Sequence, residues 1–165
     1  MIITKSQRLI IGSGQRTDAE FILTLLNQPS FYENIGNKGI KTHPQAANYI
    51  QTEFIDAQQK QGFGPYVVML ADGTAIGMVG LFQRDYLQVP DIGYAFLAQF
   101  TGNGYATEAC SNLIKLMSNR FPSLAAITTH DNKASQQVLN KLAFIKRGDV
   151  LTSQNKQPVC IYFNN

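Results

Sequence analysis

The sequence predicts a single α/β domain built on a mixed β-sheet, and three observations predict it. Segments of helical period alternate along the chain with short β-rich runs. Two of those runs, 66–70 and 74–82, flank Asp72-Gly73, a turn signal that makes them an antiparallel hairpin. A strand, a helix and a further strand follow one another over 91–129, which makes one βαβ crossover and hence a parallel pair. The 165 residues suit one domain spanning 1–165, long enough to bury a core without disulfides or metals.

The elements can be justified in order. Arg8-Leu-Ile-Ile11 is a strand, broken by Gly12-Ser13-Gly14. Thr17-Asp-Ala-Glu20 has the form of a capping box, and Phe21, Ile22, Leu25 and Leu26 follow at helical spacing up to Pro29. Residues 30–41 read as a loop. A second box, Thr42-His-Pro-Gln45, opens a helix whose inward face is Ala46, Ala47, Ile50, Phe54 and Ile55; it runs to about Lys60, before Gly62. After the hairpin, Pro90 precedes a strand over 91–97. The next helix carries an apolar stripe of Ala106, Ala109, Cys110, Leu113, Ile114 and Met117, which must pack on the sheet. A strand over 124–129 comes next. Asn132 then caps a helix with Val138, Leu139 and Leu142 inward. Residues 144–146 and 159–163 are the last strands.

The bulk numbers exclude several classes. With 44% hydrophobic and 15% charged residues the composition is that of a globular protein. Fourteen basic against eleven acidic residues leave a net charge of +3, scattered rather than clustered, so neither a nucleic-acid nor a membrane surface is expected. The N-terminus has no signal-peptide pattern, and no apolar run approaches the roughly 20 residues that span a bilayer. A cytoplasmic protein with reduced thiols is the expectation. Cys110 and Cys160 stand in no CxxC or Cys/His spacing, so no metal site is expected, and without a visible His partner neither suggests a covalent acyl-cysteine route.

The chemistry concentrates in Gln99-Phe-Thr-Gly-Asn-Gly-Tyr-Ala106. Glycines at alternate positions let backbone N–H groups converge, and the helix that follows adds its free N–H groups and the positive end of its dipole. That makes an anion site of the pyrophosphate-binding kind, or simply a glycine-rich turn from strand to helix. A P-loop is excluded because Tyr105, not Lys, follows Gly104. A dinucleotide fingerprint is excluded because position 107 is Thr.

Gln-x-x-Gly-x-Gly at a strand-to-helix junction resembles the acetyl-CoA signature of the GCN5-related N-acetyltransferase (GNAT) family. The longer string Ile92 to Ala109, IGYAFLAQFTGNGYATEA, resembles the ribosomal-protein N-terminal acetyltransferases of RimJ/RimL type. Asn132-Lys-Ala-Ser135 through Phe144 is similar to the family's Asn-x-x-Ser helix, with Ala143 where the family usually has Gly. The likeness covers nearly the whole chain and is most specific over 91–144. It implies a GNAT-like, mostly antiparallel central sheet with helices on both faces, and acetyl transfer from acetyl-CoA to an amine without a metal.

The resemblance also implies roles. Gln99, Gly102, Asn103, Gly104, Tyr105 and Ala106 would hold the pyrophosphate. The strand bearing Tyr94, Phe96 and Leu97 would pair with the pantetheine arm and offer an N–H to the oxyanion. Ser135 would protonate or hydrogen-bond the leaving thiolate or simply bond local backbone, and Asn132 would contact the cofactor or the acceptor backbone or merely cap its helix. Asp91, with Glu33 second, is the candidate general base. Glu108 reads as structural, since a carboxylate near pyrophosphate would repel it. The acceptor is expected to be a protein N-terminal α-amine. A small amine (polyamine, antibiotic or amino-acid derivative) and a non-catalytic acyl-CoA-binding module stay open, and a monomer or homodimer is expected.

Overall fold

The computed structural model describes residues 1–153 and 157–164. Eight strands form one sheet in the order β1-β2-β3-β4-β5-β6-β8-β7. Their ranges are β1 Ile2–Lys5, β2 Leu9–Gly12, β3 Pro65–Leu70, β4 Ala75–Phe82, β5 Asp91–Phe96, β6 Ala125–Thr128, β7 Ile145–Val150 and β8 Val159–Phe163. Every neighbouring pair is antiparallel except β5 and β6. The sheet is therefore mixed and mostly antiparallel, as the resemblance implies.

Two helical layers cover it. On one face lie α1 Ala19–Asn27, α2 Pro29–Asn34, α3 His43–Tyr49, a π-helical stretch Ile50–Asp56 and α4 Ala57–Gln61. Ile22, Leu25, Phe31, Ile50 and Phe54 from this layer pack with Val67, Met78 and Ala95 of the sheet. On the other face lie α5 Tyr105–Met117 and α6 Lys133–Lys141. There Ala109, Cys110, Leu113 and Leu139 pack with Val68, Val79, Leu81, Ile92 and Phe96. Cross-strand partners share a face. In β5, Asp91 and Ala95 thus face the α1–α3 layer and Tyr94 the α5–α6 layer.

Four local expectations need correction. The strand expected over 8–11 runs Leu9–Gly12, and β1, which the sequence reading left unassigned, pairs with it. Thr17 is not the cap: Gln15 and Asp18 form the box around a 3₁₀ turn Arg16–Asp18, and α1 starts at Ala19. The loop expected over 30–41 begins with α2, whose Pro29 occupies the first helical turn, where its missing N–H costs nothing. The long helix contains the π stretch, which sets Ile50 and Phe54 against the core. The Thr42–Gln45 box forms as read.

Ala143 is the only non-glycine residue among those described with a positive φ, +61°. It follows α6 at the position where the family usually has Gly. A Cβ in the left-handed region costs roughly 1–2 kcal/mol, offset in part by the extra freedom glycine has when unfolded. Ala143→Gly should therefore stabilise the fold by about 0.5–1 kcal/mol, seen as a higher urea midpoint at unchanged slope.

Candidate functional site

The site grows from one irregularity in the sheet. β5 and β6 are bridged only at Asp91 and Ala125, with the Ala125 N–H donating to Pro90 O at 2.9 Å. Beyond that bridge the two parallel strands part. Leu97 N–H donates to Ile76 O of β4. Backbone direction alternates along a strand, so the N–H groups of Tyr94 and Phe96 turn the other way, into the gap. A parallel pair that opens leaves unpaired backbone groups, and an extended amide chain is a natural complement to them.

The glycine segment closes the C-terminal end of β5. Gln99 sits in a 3₁₀ turn, Ala98–Phe100, and is exposed. Gly102 and Gly104 have φ of +80° and +78°, and Gly104 is the N-cap of α5. A side chain at Gly102 would meet nothing within 4 Å, so the loop needs glycine here for its backbone conformation and open surroundings, not for tight packing. Asn103 turns its carboxamide back onto Phe100 O and Thr101 O, which leaves the loop's outer surface to backbone N–H groups. Tyr105 and Ala106 open the first turn of α5, beside its free N–H groups.

Across the gap, Tyr94 and Ser135 meet. The Tyr94 hydroxyl donates to Ser135 Oγ at 3.0 Å. Ser135 is placed by its own cap: its backbone N–H donates to Asn132 Oδ1 at 3.0 Å. Burial pushes the Tyr94 phenol well above its ordinary range, while the Ser135 hydroxyl pulls the other way. Tyr94 is therefore a neutral donor, and its bond to Ser135 Oγ leaves the serine's own proton available to another acceptor.

The carboxylates lie elsewhere. Asp91 is 2% exposed and faces the α1–α3 layer, opposite Tyr94 and Ser135. Its Oδ1 accepts from Arg84 Nε at 2.9 Å and its Oδ2 from Arg84 Nη2 at 3.4 Å. Burial pushes the Asp91 carboxyl above its ordinary value and Arg84 opposes that rise. Glu33 is exposed on α2, in the same layer. The two candidate bases are thus on one side of the sheet and the Tyr94–Ser135 pair on the other.

Three long-range partnerships were invisible in the sequence, two of them at the site. Gln28, between α1 and α2, donates to Phe96 O at 2.7 Å and accepts from Ala98 N–H at 3.0 Å. Its carboxamide occupies the last part of the β5 edge as a one-residue strand would. Arg8 stacks 4.7 Å from the Tyr105 ring centre and donates to Asn103 O at 3.0 Å, which puts a guanidinium against the glycine loop. Cys160 does have a histidine partner: His130 Nδ1 is 3.5 Å from its Sγ. In each case the partners lie 30 or more residues apart, where no spacing rule reaches.

Glu108 is held by the Ser6 hydroxyl (2.7 Å), the Arg8 N–H (2.9 Å) and Arg8 Nε (2.7 Å). Burial alone would raise its carboxyl, but the bonds from Ser6 and Arg8 outweigh it and hold the group below its usual value. A depressed carboxylate contributes stability above its unfolded pKa, lost as pH falls through the folded one. Glu108→Gln should cost about 1–2 kcal/mol at neutral pH, discounted for the exposed Arg8. In melting curves taken from pH 6 down to pH 3, the gap to the unaltered protein should narrow.

A glycine-rich turn at a helix N-terminus, a parallel pair that opens and a Tyr94–Ser135 hydroxyl pair lie together around β5. The model of the acetyltransferase (GNAT) domain matches residues 8–145, and the chain belongs to that family. It is an acyl-CoA-dependent N-acetyltransferase. Over 154 residues it is 29% identical to the uncharacterized N-acetyltransferase YoaA of Bacillus subtilis, covering 88% of this chain and 84% of YoaA. Its fold matches RimL, a ribosomal L7/L12 α-N-protein acetyltransferase solved with coenzyme A, at a TM-score of 0.84 and 17% identity, covering 99% and 97% of the two chains. It also matches MccE, a microcin C7 self-immunity acetyltransferase solved with acetyl-CoA and AMP, at 0.81 and 18%, covering 96% and 92%. Among the described residues no helix is long and apolar enough to cross a membrane.

Proposed function

We propose that the protein transfers an acetyl group from acetyl-CoA to the α-amine of a protein N-terminus, in the manner of the RimJ/RimL subgroup. The observation that carries this is the Tyr94–Ser135 hydroxyl pair on the α5–α6 face of β5, the strand whose C-terminal end the glycine segment closes. When bound, acetyl-CoA supplies an acyl group on a thiolate leaving group. Gly102, Asn103, Gly104, Tyr105 and Ala106 hold the pyrophosphate through backbone N–H groups, with Gln99 at the entrance to the loop. Phe96 and Leu97 form the strand wall along the pantetheine arm, and the N–H groups of Tyr94 and Phe96 are the donors available to an oxyanion. Ser135, held by Asn132 and supplied with a hydrogen bond by Tyr94, gives its proton toward the leaving sulfur.

The acceptor approaches from the opposite face, which carries Asp91 and Glu33. Asp91 takes the ammonium proton through water, with Glu33 as the second candidate. The segment following Glu33 carries Lys38 and Lys41 and no further acid, and Lys41 donates to Asn27 Oδ1 at 2.9 Å. That favours a singly charged peptide terminus over a polycationic amine such as a polyamine.

The test is thiol release from acetyl-CoA with a panel of peptides bearing different N-terminal residues, alongside polyamines and aminoglycosides. Turnover should appear with peptides and disappear when their α-amine is blocked. Turnover confined to small amines would overturn the acceptor assignment and leave the donor site standing.

A further inference from the structure

We propose that His130, Asp149 and Cys160 form a binding site for a borderline-soft divalent transition ion of the zinc type. Three adjacent strands build it. Cys160 of β8 pairs directly with Thr128 of β6 on one side and Asp149 of β7 on the other. His130 lies two residues beyond Thr128. One ligand atom from each of the three residues falls within 4.8 Å of the other two.

The distances suit an ion. His130 Nδ1 and Cys160 Sγ are 3.5 Å apart. Two ligands at tetrahedral angles on zinc, with Zn–S near 2.3 Å and Zn–N near 2.0 Å, are separated by about 3.5 Å. Asp149 Oδ1 now sits 3.2 Å from the other ring nitrogen, Nε2. Both His130 and Asp149 are exposed side chains, and Asp149 brings a carboxylate oxygen to the same ion by turning away from its present partners. A thiolate, an imidazole and a carboxylate are the donor set that a zinc-type ion takes, and three protein ligands leave a fourth position for water.

Two neighbours complete the site. Lys146 Nζ is 2.9 Å from Asp149 Oδ1, so an ion entering here displaces an ammonium and takes over its charge role. The Thr128 hydroxyl is buried beside Cys160 and has no hydrogen-bond partner among the described residues. As the cross-strand partner of Cys160 it shares that residue's face, and a water on the ion would satisfy this otherwise partnerless atom. Bound, the ion would tie the β6–α6 turn, which leads to Asn132 and Ser135, to the β7–β8 pair.

The probe is Co²⁺, added to the reduced full chain, because a cobalt–thiolate bond gives an intense near-ultraviolet charge-transfer band that oxygen and nitrogen ligands do not. The band should saturate at one equivalent, and excess Zn²⁺ should abolish it. It should persist in Cys110→Ser and vanish in Cys160→Ser. Since Cys160 is buried, His130→Ala provides the same test at an exposed position, with the band lost or its half-saturation raised at least tenfold. No band in the unaltered protein, or an unchanged band in His130→Ala, overturns the proposal.

Discussion

Ser135→Ala should lower kcat about a hundredfold, the low end of what a positioned proton donor contributes, while leaving the KM for acetyl-CoA nearly unchanged. In the proposed mechanism the hydroxyl acts on the leaving sulfur, which gathers charge only as the thioester breaks, so its loss would fall on the transition state rather than on binding. Tyr94→Phe should cost less, about tenfold, because Tyr94 acts through Ser135, donating to its Oγ at 3.0 Å. Burial keeps the Tyr94 phenol protonated, so neither variant should move the pH profile between pH 6 and 10. The double variant should fall no further than Ser135→Ala, as expected of two residues in one relay. Stopped thiol-release kinetics measure all three. A Ser135→Ala enzyme with full kcat would remove the serine from the chemistry.

Arg84→Met should destabilise the fold by about 2–3 kcal/mol at neutral pH. Breaking a buried ion pair strands the remaining charge, and the figure is reduced here because Arg84 is partly exposed. The sign of the pH dependence follows from Asp91. Burial already pushes its carboxyl above the ordinary value, and Arg84 is what opposes the rise. Without Arg84 the folded-state pKa climbs further. A group raised on folding contributes stability below its unfolded pKa, about 3.9, and loses it as pH rises through the folded value. The variant should therefore lie close to the unaltered protein at pH 4 and well below it at pH 7, in urea titrations at both. An equal deficit at the two pH values would assign the loss to packing of the arginine stem. Asp91→Asn separates the two roles of the carboxylate. If Asp91 is the base, the acid limb of the kcat/KM profile disappears; if it only anchors the start of β5, the limb stays and the melting temperature drops.

Asp91 also shows how far a local reading reaches. Its place at the head of a strand next to the donor segment is legible, because Pro90 and the apolar run after it announce a strand. Its enclosure by Arg84, on the face away from Ser135, is a matter of sheet register, and a register shift of one residue would exchange the two faces. The errors of the first thirty residues have a related cause. Thr17 and Gln15 both precede good helix formers, and the chain caps at Gln15, whose N–H donates to Asp18 Oδ2 around a 3₁₀ turn that the capping-box pattern from Thr17 does not announce. β1, Ile-Ile-Thr-Lys, is rich in β-forming residues, but it is only four residues long, and its place as an edge strand comes from its pairing with β2.

What the sequence by itself determined is the local structure of the proposed donor half. Glycine spacing, helix caps and apolar stripes are local, and they place QFTGNGYA at a strand–helix junction with the Asn132–Ser135 cap one βαβ unit downstream. The tertiary structure alone decided that β5 and β6 part after a single bridge, that Tyr94 reaches Ser135, that Gln28 and Arg8 join the donor edge, and that Cys160 stands beside His130 and Asp149. Most of these contacts join residues 30 or more positions apart, and Asp149 meets Cys160 across the β7–β8 pair. They arise from strand order and side-chain packing, which no short window of sequence encodes.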